Sequence, residues 1–162
     1  MHEKDIASQL LGVVGYIYPQ IPVDATDLDG IQVDRLSYPH KSALAVLQIK
    51  YTAAGGGAGD TQTVELRVEH DDAVGWGTVA TLKTYSRVFT WAANGANYGT
   101  LCLPVDLSSA KRYIRITGKV TKAGAQTISL QYMSGCIILG GAPSNPNALH
   151  VNAGYSAIVE AA

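Results

Sequence analysis

The sequence predicts an all-β domain, a two-sheet antiparallel β-sandwich or jelly roll with an extended N-terminal arm and a C-terminal tail. Three observations predict it. Seven or eight runs of β-branched and aromatic residues follow one another at short spacing, Gly/Asn/Asp-rich turn clusters separate them, and helical periodicity is almost absent. At 162 residues the chain fits one domain, and folding at that size hides roughly two thirds of the surface the unfolded chain exposes, so no covalent staple is needed. The composition is 47% hydrophobic and only 15% charged. That is too apolar for a disordered chain and short of charge for an ordinary surface, so some apolar surface is expected to meet a partner.

Residues 1–40 show little alternation, carry Pro19, Pro22 and Pro39, and hold an acidic run through Asp24, Asp27, Asp29 and Asp34. They read as an arm, with a short helix over Ile6–Leu11 and extended chain after it, either a loose terminal loop or a segment that packs on a neighbouring subunit. The β domain is expected over 41–143. Leu44–Thr52 (LAVLQIKYT) is the first clear strand, and the small residues of 53–60 (AAGGGAGD) form a loop after it. Val64, Leu66 and Val68 then alternate with Glu65, Arg67 and Glu69, a period of two that buries one face and wets the other.

The turn His70–Gly75 leads to Trp76–Lys83, with Trp76, Val79 and Leu82 expected to point inward, so this pair reads as a hairpin with a medium loop. Tyr85–Trp91 is β-prone and ends in the turn Asn94–Asn97. Leu101–Val105 is a further short strand that Pro104 assigns to an edge or a strand end, because proline has no N–H to donate. In Lys111–Thr117, Ile114 and Ile116 face opposite to Tyr113, Arg115 and Thr117, and Gly118 allows a bulge. Gln126–Leu139 is one long strand or two short ones broken at Gly135. Residues 144–162 read as a tail whose Leu149, Val151, Tyr155, Ile158 and Val159 give it something to dock with.

Chemistry-bearing patterns are absent or incomplete. Twelve basic residues oppose thirteen acidic ones and the longest basic cluster is Lys111-Arg112, so nucleic acid is not an expected partner. His2, His40, His70 and His150 share no ligand spacing, and the run Asp24–Gly30 lacks the glutamate that closes a calcium loop and reads as a solvated turn. His70-Asp71-Asp72 reads as a turn former rather than a calcium site, and the glycine loop at 55–59 lacks the Lys-Ser/Thr of a phosphate loop.

There is no Gly-x-Ser-x-Gly elbow and no paired carboxylates in a setting that would split their pKa values, so no catalytic, cofactor-binding or metal-binding residue is assigned, and the chain is not expected to be an enzyme. Cys102 and Cys136 each sit among apolar neighbours and are expected to be buried, reduced thiols rather than a disulfide. No secretion signal or membrane span is read near Leu10–Val14, which Gly12 and Gly15 interrupt, and synthesis in a cytoplasm is expected. Trp76, Trp91 and the nine tyrosines leave a carbohydrate-binding face open as an alternative.

Two stretches carry a resemblance. Gly30–Tyr38 (GIQVDRLSY) leads into the strand at Leu44 and then TVELRVEHDDAVGWGTVATL ending at Leu82; Lys111–Ile116 (KRYIRI) is followed by Cys136–Pro143 (CIILGGAP). Together, over roughly residues 30 to 143, they resemble the strand-and-turn pattern of small β-sandwich capsid decoration, or cement, proteins of tailed bacteriophages. The resemblance implies a virion protein on the capsid surface, made in the host cytoplasm, with the major capsid protein as partner. It also implies a homo-oligomer, dimer or trimer, with no nucleic-acid or membrane contact and no cofactor. A tail or baseplate subunit is the alternative within the same class, and no functional residues carry over.

Overall fold

A computed structural model describes residues 12–37, 40–53, 61–90, 96–123 and 128–140. They form nine strands: β1 (Gly12–Gln20), β2 (Asp27–Asp29), β3 (Val33–Asp34), β4 (Ser42–Ala53), β5 (Thr61–Asp71), β6 (Ala80–Thr90), β7 (Ala96–Asp106), β8 (Tyr113–Ala123) and β9 (Ile128–Gly140). Among the described residues there is no helix. The expected helix at Ile6–Leu11, the tail at 144–162 and Trp91 lie outside the described residues.

One sheet has the order β1-β9-β4-β7; the other has β2-β8-β5-β6, with β3 extending the β2 end along β8. The pairings follow one rule. β5 pairs β6, β4 pairs β7, β2 and β3 pair β8, and β1 pairs β9, every pair antiparallel. The chain is thus one long hairpin rolled up on itself, and the contacts β4–β9 and β5–β8 close the two sheets. This is the double Greek-key jelly roll.

Alternation supplies the core. Ala45, Leu47, Val64, Leu66, Val68, Leu101, Ile114, Ile116, Met133 and Ile137 are fully removed from solvent between the sheets. Each large aliphatic side chain so buried contributes about 1.5–3 kcal/mol. Pro104 sits in β7, an edge strand, as its missing N–H requires. β9 runs through Gly135 as one strand, and β8 passes Gly118 without a break in its register with β5.

Two expectations are corrected. The stretch read as an arm contributes β1, β2 and β3 to both sheets, with Ile17 and Val33 in the core, so the sandwich begins by Gly12 rather than at 41. The local pattern hid β1 because its partner β9 lies at the other end of the chain and a bulge interrupts its alternation. That bulge falls between Val14 and Tyr16, where Gly15 adopts φ +64°, a left-handed conformation that costs a residue with a Cβ. It changes the side-chain parity, so that Ile17 points inward while Tyr16 and Tyr18 point out.

The second correction concerns Trp76 and Val79, which were expected inside. Val79 is exposed, and Trp76, itself left-handed at φ 50°, folds over the outer surface of the second sheet. Of the three, Leu82 packs against the core.

Candidate functional site

The outer surface of β1-β9-β4-β7 follows from strand register. One row across the sheet holds Tyr16, Cys136, Val46 and Cys102; a second holds Ile138, Leu44 and Pro104. Beyond the first row come Ser134, Gln48 and Thr100, then Tyr132, Lys50 and Tyr98. Lys50 is the one cation that the described strands of this sheet point outward on the face, lying 5.6 Å from the Tyr98 ring centroid, and the Lys83 ammonium reaches its β7 edge from β6 to donate to the Pro104 carbonyl at 2.8 Å. Asp106 stands at the rim, where it accepts hydrogen bonds from the Ser108 N–H (2.8 Å) and Oγ (2.9 Å), bonds that lower its pKa.

Tyr98 is 70% exposed and Tyr18 65%, with Tyr16 and Tyr132 also exposed. Large uncharged surface of this kind on a strand face marks an interaction site more often than a solvated one. Between β1 and β4 it hollows into a cleft of about 350 Å³ lined by Tyr16, Tyr18, Pro19, Val46, Gln48 and Ser134. The Tyr16 and Tyr18 rings stack at 6.5 Å.

The opposite outer surface is built from the acidic run and the alternating charges of β5 and β8. Arg67 pairs with Asp27, with Glu65 at 2.8 Å and with Glu69 at 3.2 Å; Arg115 pairs with Asp29 at 3.0 Å and Glu69 at 2.9 Å. Thr117 Oγ1 lies 3.0 Å from a carboxylate oxygen of Asp29 and 3.0 Å from one of Glu69, so its single proton is shared between the two acids. The Trp76 ring covers the Arg115 guanidinium at 4.2 Å, and its Nε1–H donates to Gln32 Oε1 at 2.9 Å. Within the run expected to be a solvated turn, Asp24-Ala25 is an exposed turn, while Asp27–Asp29 is a strand paired with β8 whose two carboxylates meet arginines.

No family model and no curated protein matches this chain. Several solved structures are similar to part of it at low identity. The PBSX exported protein XepA is 16% identical, with 85% of this chain and 38% of that chain covered at a TM-score of 0.40. A chain of the T13 infectious bursal disease virus particle is 11% identical, with 82% and 30% covered at 0.46. The VP2 subviral particle of the same virus is 8% identical, with 83% and 34% covered at 0.42. The chain spans about a third of the length of the solved chains it matches.

The sequence candidates disperse. His40 is buried just before β4, His70 accepts a hydrogen bond from the Lys111 N–H at 3.0 Å, and His2 and His150 lie outside the described residues. Among the described residues no three His, Cys, Asp or Glu side chains converge as a metal site would require. Asp71 forms the expected turn, accepting from Ala73 N–H at 3.1 Å, Thr78 N–H at 2.8 Å and Thr78 Oγ1 at 2.9 Å.

Both cysteines are free thiols, but Cys102 is exposed and Cys136 half-buried, which corrects the expectation of two buried thiols. Their apolar neighbours in sequence point to the opposite side of the strand. The uncharged face was missed because it joins residues from both ends of the chain; the signal that could have found it is the run of uncharged outward positions in β4 and β7.

Proposed function

We propose that the chain is a virion structural protein, a non-enzymatic capsid decoration protein that seats the outer face of β1-β9-β4-β7 on the major capsid lattice or on sister subunits. The observation that supports this is the asymmetry of the sandwich: one outer face satisfies its charges within the chain, while the other offers rings and aliphatic groups. Four strands about 4.8 Å apart, over nine residues at about 3.3 Å each, give this face on the order of 500 Å² before side-chain relief. A standard interface buries about 800 Å² per partner, so one contact is modest. Repetition by lattice symmetry turns modest contacts into tight retention.

Co-sedimentation with purified capsids tests the reading. Gln48 is exposed at the middle of the face, and Gln48→Arg places a charge there that binding would have to desolvate. We expect retention on capsids to fall roughly tenfold or more. The stacked Tyr16 and Tyr18 beside Gln48 and Ser134 favour a second reading, a carbohydrate-binding module, since rings stack on sugars while amide and hydroxyl groups take their hydroxyls. Binding on a glycan array with none to capsids would replace the first reading by the second.

A further inference from the structure

At one end of the sandwich the turn after β3 meets the turn before β8 around a pocket of about 520 Å³. Arg35, His40, Lys41, Ser108, Lys111 and Arg112 line it, and among the described residues no carboxylate does. Arg112 is paired with Asp34 at 2.8 Å and Lys111 with Asp72 at 3.3 Å, both acids standing outside the pocket. Arg35 and Lys41 have no carboxylate within ion-pair distance among the described residues.

Arg35 is the unusual member. Its guanidinium is held by carbonyls alone, Nη1 donating to Ala110 and Lys111 (3.2 Å) and Nη2 to His40 (3.4 Å), while its Nε is buried without a hydrogen bond. The other two half-buried arginines, Arg67 and Arg115, each face two or more carboxylates. Burial lowers the Arg35 pKa with nothing opposing it, whereas at Arg67 the same burial is outweighed by Asp27, Glu69 and Glu65. Burial, then Lys111, and more weakly Arg35, depress the His70 pKa beside the pocket, against the opposite pull of Asp72 and Asp71. A partly desolvated cation without a counter-charge is costly, and an anion in the pocket relieves that cost.

We propose that this pocket binds a small, doubly charged oxyanion of the phosphate type, with Arg35 as its buried charge and Lys41, Lys111 and Arg112 as the rim that closes on it. Guanidinium and ammonium donors around a cavity that no described carboxylate lines form the chemistry that selects such a group. The inference stands apart from the capsid reading and uses a different surface.

The test is a thermal-melting titration of the full chain with inorganic phosphate, against sodium chloride and sodium acetate at matched ionic strength. Phosphate should raise the midpoint saturably where chloride and acetate do not. Lys41 is exposed, so Lys41→Met should leave the fold intact while weakening the apparent phosphate affinity roughly tenfold. Lys50→Met, on the uncharged sheet face, should leave the titration unchanged. Equal responses to phosphate and chloride, or identical titrations for the two variants, would overturn the proposal. A response to acetate as strong as to phosphate would overturn the preference for a doubly charged anion.

Discussion

The two outer faces of the sandwich differ in where their polar groups find partners. On β2-β8-β5, Asp27, Asp29, Glu65, Arg67, Glu69 and Arg115 form one ion-paired network, with Glu69 shared between both arginines and its side chain only 7% exposed. On β1-β9-β4-β7, Leu44, Val46, Tyr98 and Tyr132 stand outward without such a network. A face that closes its own charges gains nothing further from a partner, since docking would desolvate ions already matched. A face of rings and aliphatic groups gains by being covered. One sandwich can thus match its charges within the chain on one side and leave an uncharged surface open on the other.

The sharpest way to break this contrast is to remove the shared acid. Glu69→Ala leaves Arg67 and Arg115 facing each other's remaining partners with their central counter-charge gone, at a cost of about 3 kcal/mol. At this chain length that lowers the melting midpoint by roughly 6–12 °C. Calorimetry and urea unfolding should both show it, while retention on capsids at low temperature stays at the level of the parent. Gln48→Arg should do the reverse. If Glu69→Ala lost capsid binding without losing stability, the charged face would be the docking face and the assignment would be inverted.

How much of this was legible differs by element. β5 announced itself through Val64, Leu66 and Val68, and the β7 edge through Pro104, because both signals are local. β1 did not, since its alternation is broken at Gly15 and its hydrogen-bonding partner is β9. The acidic run looked like a turn for the same reason: Asp27 and Asp29 acquire their meaning only when Arg67 and Arg115 are brought beside them. The uncharged face is still less local, because it joins β1 to β9, β4 and β7, and because the bulge, not the sequence period, decides that Tyr16 and Tyr18 face outward. The pocket around Arg35 has no motif at all; it exists because two turns far apart in sequence share one end of the roll.

A smaller effect separates the turns from the faces. The Ala73 N–H, and then Thr78 through its N–H and hydroxyl, hold the Asp71 carboxyl at a pKa of about 2, well below the ordinary value of 3.8. Asp34, through Arg112 and the Leu36 N–H, and Asp106, through Ser108, are lowered in the same direction. A folded-state pKa below the unfolded one stabilises the fold above the unfolded value, and the contribution is lost as pH falls through the folded value. Stability should therefore decline between about pH 4 and pH 2. Asp71→Asn should flatten that acid limb and lower stability at neutral pH, as read from urea midpoints across the range. An unchanged acid limb would show that Asp71 does not order the β5–β6 turn.

The smallest expected effect reads the uncharged face directly. Cys102 and Cys136 flank Val46 in one row across the sheet, yet their reactivity should differ. Cys102 is exposed, whereas Cys136 is half-buried and its burial raises the thiol pKa, leaving less thiolate to react. In the folded chain a thiol reagent should therefore modify Cys102 first and Cys136 more slowly, with mass spectrometry locating each adduct. Bound to capsids through this face, the chain should protect Cys102, because a contact that covers Val46 also covers its neighbour on β7. Labelling of Cys102 at the same rate in free and capsid-bound protein would place the contact elsewhere on the molecule, and would leave the row of Tyr16, Cys136, Val46 and Cys102 without the partner assigned to it.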